Sequence, residues 1–309
     1  MRARRVTGID AIPAATGLWQ IGLLSRLRLP DYLELTKPRV TTLVLTSTLV
    51  GFYVGTTGRV DFWLLLHTLV GTGLAAAGSA TLNQFLERTP DKLMKRTENR
   101  PLPSERLKPK SALVFGIALS LCGTAYLAIQ VNFLSSLLAL AVLASYLFLY
   151  TPLKQKTSLC TLIGAFPGAA PPVIGWTAAT GMLDLRAASL FLILFLWQFP
   201  HFFAIAWMYR EDYKRAGFQM LPLQDNRGIV TGQQILIYTM SLIPVSLLPS
   251  LLGMTRLVYL GGAVALGLLF LYYAFRAAHY RTAAEARRLL KASVIYLPLL
   301  LALMVLDKA

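Results

Sequence analysis

Nine stretches of mostly apolar residues, each near the roughly 20 residues a helix needs to cross a bilayer, take up most of this chain. They fall at about 39–58, 62–86, 110–130, 133–152, 160–181, 187–209, 232–252, 256–276 and 291–307. Backbone in hydrocarbon must satisfy its own hydrogen bonds, so segments of this kind form helices. Of 309 residues, 56% are hydrophobic and 14% charged, which excludes an ordinary soluble domain. The predicted architecture is all-α: a polytopic bundle of nine transmembrane helices over 39–309, preceded by a cytoplasmic N-terminal segment over 1–38. There is no short-period repeat. Two charged loops, after helices 2 and 6, allow a weak kinship between two halves.

The formal net charge of +16 could suggest a nucleic-acid partner. Its distribution argues against one. Of the 30 Lys and Arg, 26 fall in the N-terminal segment and in the loops after helices 2, 4, 6 and 8, and only Arg59, Arg186, Arg256 and Lys308 fall on the other face. The positive-inside rule then puts the N-terminus in the cytoplasm and the C-terminus outside. The Arg-rich first 30 residues lack a signal-type apolar core with a cleavage site. A bacterial inner membrane, with a periplasmic C-terminus, is the expected location; a short transit peptide is the alternative. Cys122 and Cys160 sit in or beside apolar helices and read as packing residues rather than a disulfide.

The stretch "NQFLERTPDKLMKRTENRPLP" (83–103) closes helix 2, and "YREDYKRAGFQMLP" (209–222) closes helix 6. Both helices run toward the cytoplasmic face. Asn83 and Glu87 are four residues apart and share a helical side. Asp91 continues that spacing if the helix persists, but Pro90 is expected to break or reshape it and leave Asp91 just beyond its end. The second stretch supplies Glu211 and Asp212. Acids beside a membrane cost free energy unless paired, hydrated or metal-bound. Carboxylate and amide oxygens suit Mg²⁺, which often binds one or two carboxylates together with substrate phosphates. Lys95, Arg96, Arg100 and Lys214 lie close by and could grip phosphate oxygens.

One such loop alone could equally be a solvated loop obeying the positive-inside rule. Two on one face point to a diphosphate site, and an apolar bundle beneath it points to an isoprenoid tail. The matching chemistry is ionisation of an allylic C–O bond. Cations and metal stabilise the departing diphosphate, and a dry chamber with aromatic faces shields the carbocation.

Asn83, Glu87 and Asp91, at four-residue steps, resemble the first signature of the UbiA-type intramembrane prenyltransferases. "DKLMKRTENRPLP", "YTPLKQKTSLCTLIGAFPGAAPPVIGW" (150–176) and "WQFPHFFAIAWMYREDYKRAGFQMLP" (197–222) resemble the branch that farnesylates haem. The resemblance covers about residues 30–305. It implies transfer of the farnesyl group of farnesyl diphosphate to a vinyl group of haem b, with addition of water and release of diphosphate, giving haem O. It implies Mg²⁺ held by Asn83, Glu87, Asp91 and Asp212, and diphosphate contacts from Arg96, Arg100 and Lys154. Pathway logic adds a haem A synthase as a partner for the product. Two departures stand out. Glu87 replaces the more common Asp, and Met208 and Ala216 leave Asp212 without an acid four residues away.

His201 lies nine residues before Arg210, roughly 14 Å below the helix end. It is either a core histidine bonded to a neighbouring helix or, given a haem substrate, an axial iron ligand or proton-transfer group, and it is the third candidate catalytic residue beside Asp91 and Asp212. His67 and His279 read as packing residues. Pro167, Pro171 and Pro172 interrupt helix 5, which fits either a substrate chamber or a packed kink. Tyr209 and Tyr213 flank the second acids and could bond diphosphate or sit at the interface. The rival readings are a prenyltransferase acting on a quinone precursor and a non-catalytic haem-handling protein or transporter, separated by the acceptor used and by diphosphate release.

Overall fold

Residues 28–309 are described by a computed structural model. The expected N-terminal segment over 1–38 lies outside the described residues up to position 27. Its last part forms a short helix, α1 (Leu29–Leu35). There follow α2 (Pro38–Gly55), α3 (Phe62–Leu86), α4 (Arg88–Lys92), α5 (Pro109–Gln130) and α6 (Phe133–Ala144). A π-helical turn over Ser145–Tyr150 carries α6 on to Leu153. Then come α7 (Cys160–Ala169), α8 (Pro171–Thr180), α9 (Leu185–Met208), α10 (Arg210–Arg215), α11 (Leu221–Gln224), α12 (Ile229–Leu251), α13 (Leu257–Tyr280) and α14 (Ala283–Leu306). The described chain is an all-α, multi-pass membrane bundle. Its only strand-like feature is an isolated bridge between Thr255 and Lys308.

Among the described residues, seven helices are long and apolar enough to cross a bilayer: α3, α5, α6 with its extension, α9, α12, α13 and α14. The first expected span is the 18-residue α2. The fifth is not one helix but the ten-residue pair α7 and α8. Pro171 and Pro172 lack the N–H groups that would bond back to α7, and a proline ring excludes a regular helix before it. The ninth span starts eight residues earlier than its apolar run, because Thr282 and Glu285 form a cap, the Thr282 hydroxyl accepting the Glu285 N–H at 3.3 Å. The first two turns of α14 thus carry Arg287 and Arg288 outside the apolar zone, with Lys291 at its edge.

Neighbours in the bundle follow chain order: α3 packs on α2 and α5, α6 on α5, α9 on α7, α12 and α14, and α13 on both α12 and α14. α14 returns against α2, and α8 packs on α2 from within. Lipid-facing helices gain little hydrophobic driving force from one another, so small residues that admit close backbone contact decide where they meet. At the α2–α8 crossing a Cβ on Gly51 would overlap the Pro172 carbonyl, and one on Gly175 would overlap the Thr48 carbonyl. The proline break of helix 5 is therefore a packed kink at this point.

The two ends of the bundle use their acids differently. At one end, Asp61 accepts the Leu64 N–H at 3.0 Å and Asp184 the Ala187 N–H at 2.9 Å, capping α3 and α9. Asp307 accepts the Tyr259 N–H at 2.7 Å and caps α13. The opposite end carries the long loop 93–108 and the short helices α4, α10 and α11, and there Glu87, Asp91 and Asp212 pair with cations instead.

Candidate active site

α3 ends at Leu86, yet the chain does not stop turning. Glu87 bonds back to Asn83 through its N–H at 2.9 Å, and the Asp91 N–H reaches the Glu87 carbonyl at 2.8 Å. The long helix ends before Asp91, as expected, but the interruption falls at Glu87 and not at Pro90 itself. Pro90 sits in the first turn of α4, where a missing N–H costs nothing. Asp91 therefore lies within that short helix, and the four-residue spacing survives a bend at Glu87. Asn83, Glu87 and Asp91 are all buried.

Each of these three oxygen-bearing groups holds a cation. The Lys37 ammonium donates to Asn83 Oδ1 at 2.8 Å. Lys154 Nζ is 2.7 Å from Glu87 Oε1, and Arg100 Nη1 is 2.7 Å from Asp91 Oδ2. Burial pushes the Glu87 carboxyl up, but Lys154, followed by Lys37 and Asn83, outweighs it and holds Glu87 below the usual carboxylate range. Burial likewise pushes Lys154 down, and the Glu87 carboxylate outweighs it, leaving its ammonium well above the ordinary lysine value. Burial, helped by Arg100 and opposed by Glu87, lowers Lys37 to about 8.

The second acid loop closes over this group. Arg96 Nη2 donates to the Tyr213 hydroxyl at 2.8 Å, and its guanidinium lies 5.4 Å from the Tyr209 ring centroid. Arg215 Nε donates to the Leu93 carbonyl at 3.2 Å and also pairs with Asp212. The Gln219 N–H donates to the Lys154 carbonyl at 2.7 Å, so α10 is tied to the loop after α4 and the segment following α10 to the loop after α6. Met94, Cys160, Tyr213, Phe218 and Met220 form an apolar cluster beneath the junction. Burial pushes the Tyr213 phenol up, against Arg96, so it stays a neutral hydroxyl.

Of the residues singled out in the sequence, Asn83, Glu87, Asp91, Arg100 and Lys154 are brought into one nest, with Arg96 and Asp212 on its α10 side. Lys95 and Lys214 are exposed at the rim, and Lys214 reaches only Glu211, at 3.8 Å. Two members of the nest were not singled out. Lys37 precedes Pro38 with φ +48°, which turns its side chain back toward α3, and Thr151 accepts from Asn83 Nδ2 at 3.2 Å. The signal for Lys37 was present, a cation at the end of helix 1 that faces the acid loops, but its reach across to Asn83 is tertiary.

His201 is not joined to this nest. Its Nδ1 lies 2.8 Å from Ser293 Oγ in α14, and its ring stacks on Trp197 with centroids 4.7 Å apart. His67 bonds Tyr126 at 2.8 Å, and His279 stacks on Phe275, as packing residues do.

Among the described residues no three His, Cys, Asp or Glu converge tightly enough to hold a metal unaided. The donor set nevertheless fits a hard cation. Asp91 Oδ1 is buried with no hydrogen-bond partner. An orphaned carboxylate oxygen is costly, and a divalent ion is the chemistry that would satisfy it, with substrate phosphates completing its coordination.

The profile of the UbiA prenyltransferase family matches residues 44–297. A protoheme IX farnesyltransferase of Solibacter usitatus (strain Ellin6076) is 54% identical over 287 residues, 90% of this chain and 98% of that protein. The protein of the same name from Koribacter versatilis (strain Ellin345) is 43% identical and is covered to 95%, and 93% of this chain aligns with it. Among solved structures, digeranylgeranylglyceryl phosphate synthase superposes with a TM-score of 0.77 at 18% identity, over 90% of this chain and 98% of that one. A UbiA homolog from Archaeoglobus fulgidus, bound to GPP and Mg²⁺, superposes with a TM-score of 0.66 at 16% identity, over 89% and 99%. At that identity the superpositions speak for the fold alone. The family profile and the full-length relatives establish more: this chain belongs to the UbiA prenyltransferase family.

Proposed function

We propose that this protein farnesylates haem: it transfers the farnesyl group of farnesyl diphosphate to a vinyl group of haem b, water adds, and haem O and diphosphate are released. The observation that carries the reading is the nest itself, in which each candidate metal ligand is held by a cation that could turn to a phosphate instead. Lys37 sits on Asn83, Lys154 on Glu87, Arg100 on Asp91 and Arg215 on Asp212. The relatives named protoheme IX farnesyltransferase, aligned over nine-tenths of the chain, support haem as acceptor.

Asn83, Glu87, Asp91 and Asp212 would hold Mg²⁺. When bound, it supplies positive charge that lowers the cost of the leaving diphosphate. Arg96, Arg100, Lys154 and Lys37 bind the diphosphate oxygens and hold the allylic carbon below the nest. Arg96 is already oriented by Tyr213 and Tyr209, so little ordering remains at the moment of ionisation. The helices beneath exclude bulk water, so the haem vinyl, rather than solvent, meets the allylic carbon. The cation left on the former vinyl group then takes water. The location is a bacterial inner membrane, with the nest at the cytoplasmic face. A haem A synthase is the partner that would consume the product.

Purified protein incubated with haem b, farnesyl diphosphate and Mg²⁺ should yield haem heavier by one farnesyl group and one water in mass spectrometry. EDTA or Asp91→Ala should abolish the gain. Unmodified haem from folded protein, with farnesylation of a quinone precursor instead, would transfer the assignment to that acceptor.

A further inference from the structure

The mechanism above leaves one polar group deep in the bundle without a task. His201 lies in α9, roughly 14 Å in depth from the α9–α10 junction. Its imidazole is fixed on two sides. The Trp197 ring stacks against it with centroids 4.7 Å apart and planes 25° apart, while its Nδ1 meets Ser293 Oγ at 2.8 Å. Trp197 is itself anchored to the same residue, its Nε1–H donating to the Ser293 carbonyl at 2.8 Å. Two aromatic rings and one serine thus form a rigid clamp between α9 and α14.

The clamp also decides where the imidazole proton is. Ser293 has one hydroxyl hydrogen, and Oγ lies 2.7 Å from the Leu290 carbonyl, which accepts it. Ser293 Oγ is then left with lone pairs, so it accepts from His201 and the proton is on Nδ1. The opposite assignment would have Ser293 donate to Nδ1 and place the proton on Nε2. There it would meet no acceptor among the described residues, and a donor unsatisfied at membrane depth is costly. Only the first arrangement gives every hydrogen a partner. It leaves Nε2 with a free lone pair on a side chain that is not fully buried.

We infer that His201 Nε2 is an axial ligand to the iron of the haem substrate, with Ser293 as its positioning residue. An imidazole that donates Nδ1–H to a fixed acceptor and presents Nε2 has the arrangement of metal-binding histidines generally, the acceptor setting both ring orientation and ligand basicity. An iron–nitrogen bond forms and a weaker iron ligand leaves; no electrons are transferred. Ligation fixes the porphyrin at a set depth below the nest, so that its vinyl edge rather than its iron approaches the allylic carbon. The inference rests on haem being the acceptor.

The test uses the whole purified protein loaded with haem b alone, read by absorption and by resonance Raman of the ferrous form. The wild type should show an imidazole-ligated iron. His201→Ala should lose that signature, and added imidazole should restore it. Ser293→Ala should keep the ligand but lower the iron–nitrogen stretching frequency, because Nδ1–H has lost its acceptor. That variant also keeps the proposal falsifiable if His201→Ala does not fold. Spectra unchanged in His201→Ala, or an iron–nitrogen stretch indifferent to Ser293→Ala, would overturn the ligation. If the wild type still farnesylates haem in that case, the proposed function stands. Histidine-ligated haem that is never farnesylated would instead overturn the function and leave the haem site.

Discussion

The Glu87–Lys154 pair tests whether charge in the nest serves stability or chemistry. Both side chains are buried and 2.7 Å apart. Removing one partner leaves the other as an uncompensated buried charge, which costs on the order of 3 kcal/mol or more, whereas removing both is often near neutral. Lys154→Met and Glu87→Gln should therefore each lower the melting temperature, and the double variant should melt above either single one. Its farnesyl transfer should stay at least ~100-fold down, because the double variant restores packing and not the groups that meet metal and diphosphate. Recovery of turnover in the double variant would show the pair to be structural only. The spacing of Asn83, Glu87 and Asp91 was legible in the sequence because one helix side displays it. Lys37 and Thr151 were not, since they reach Asn83 from α2 and from the turn after α6, and no local pattern records which distant helix ends meet. His201 was legible as unusual, but its tautomer required Ser293, 92 positions away.

At the level of elements, α2 positions Lys37, so the fit of α2 against α8 should be felt in the site. A Cβ on Gly51 has no room beside the Pro172 carbonyl. Gly51→Ala should cost about 1–3 kcal/mol through overpacking. It should also raise the KM for farnesyl diphosphate several-fold, as α2 shifts and Lys37 leaves Asn83. Gly261→Ala in α13, where nothing lies within 4 Å, is the control and should leave both unchanged.

The start of α12 offers a pH test clear of the nest. Asp225 Oδ2 accepts the Thr231 N–H at 2.7 Å. Burial pushes this carboxyl up, but that bond and the N–H groups of Gly228 and Ile229 outweigh it and hold it below the ordinary range. A carboxyl depressed in the folded state stabilises above its unfolded pKa, and the gain is lost as pH falls through the folded one. Asp225→Asn should thus cost on the order of 1 kcal/mol at pH 7, with a deficit that shrinks below about pH 4. Thermal melts in detergent across that range would show it. The apolar runs made these helices legible in the sequence. The broken fifth span was legible only as a run of prolines, because what the break packs against is set by Gly51 and Gly175.

At the scale of the molecule, the division of labour between the two ends is a topological statement. Asp61, Asp184 and Asp307 cap helices at one end, where little basic charge lies. Glu87, Asp91 and Asp212 pair with cations at the other, in loops that hold most of the Lys and Arg. A short basic loop resists translocation, and on that ground we propose the nest on the cytoplasmic side and Arg59 and Arg186 on the other. In a background with Cys122 and Cys160 replaced, a membrane-impermeant thiol reagent applied to intact spheroplasts should label Arg59→Cys and Arg186→Cys. Lys108→Cys and Lys156→Cys should be labelled only after the membrane is opened. Each of the four residues lies in or beside a loop between spans, and the two pairs lie at opposite ends of the bundle. The reverse pattern would place the nest outside the cell. Farnesyl diphosphate is a charged metabolite that does not cross a bilayer unaided, so the proposed reaction itself requires the first result.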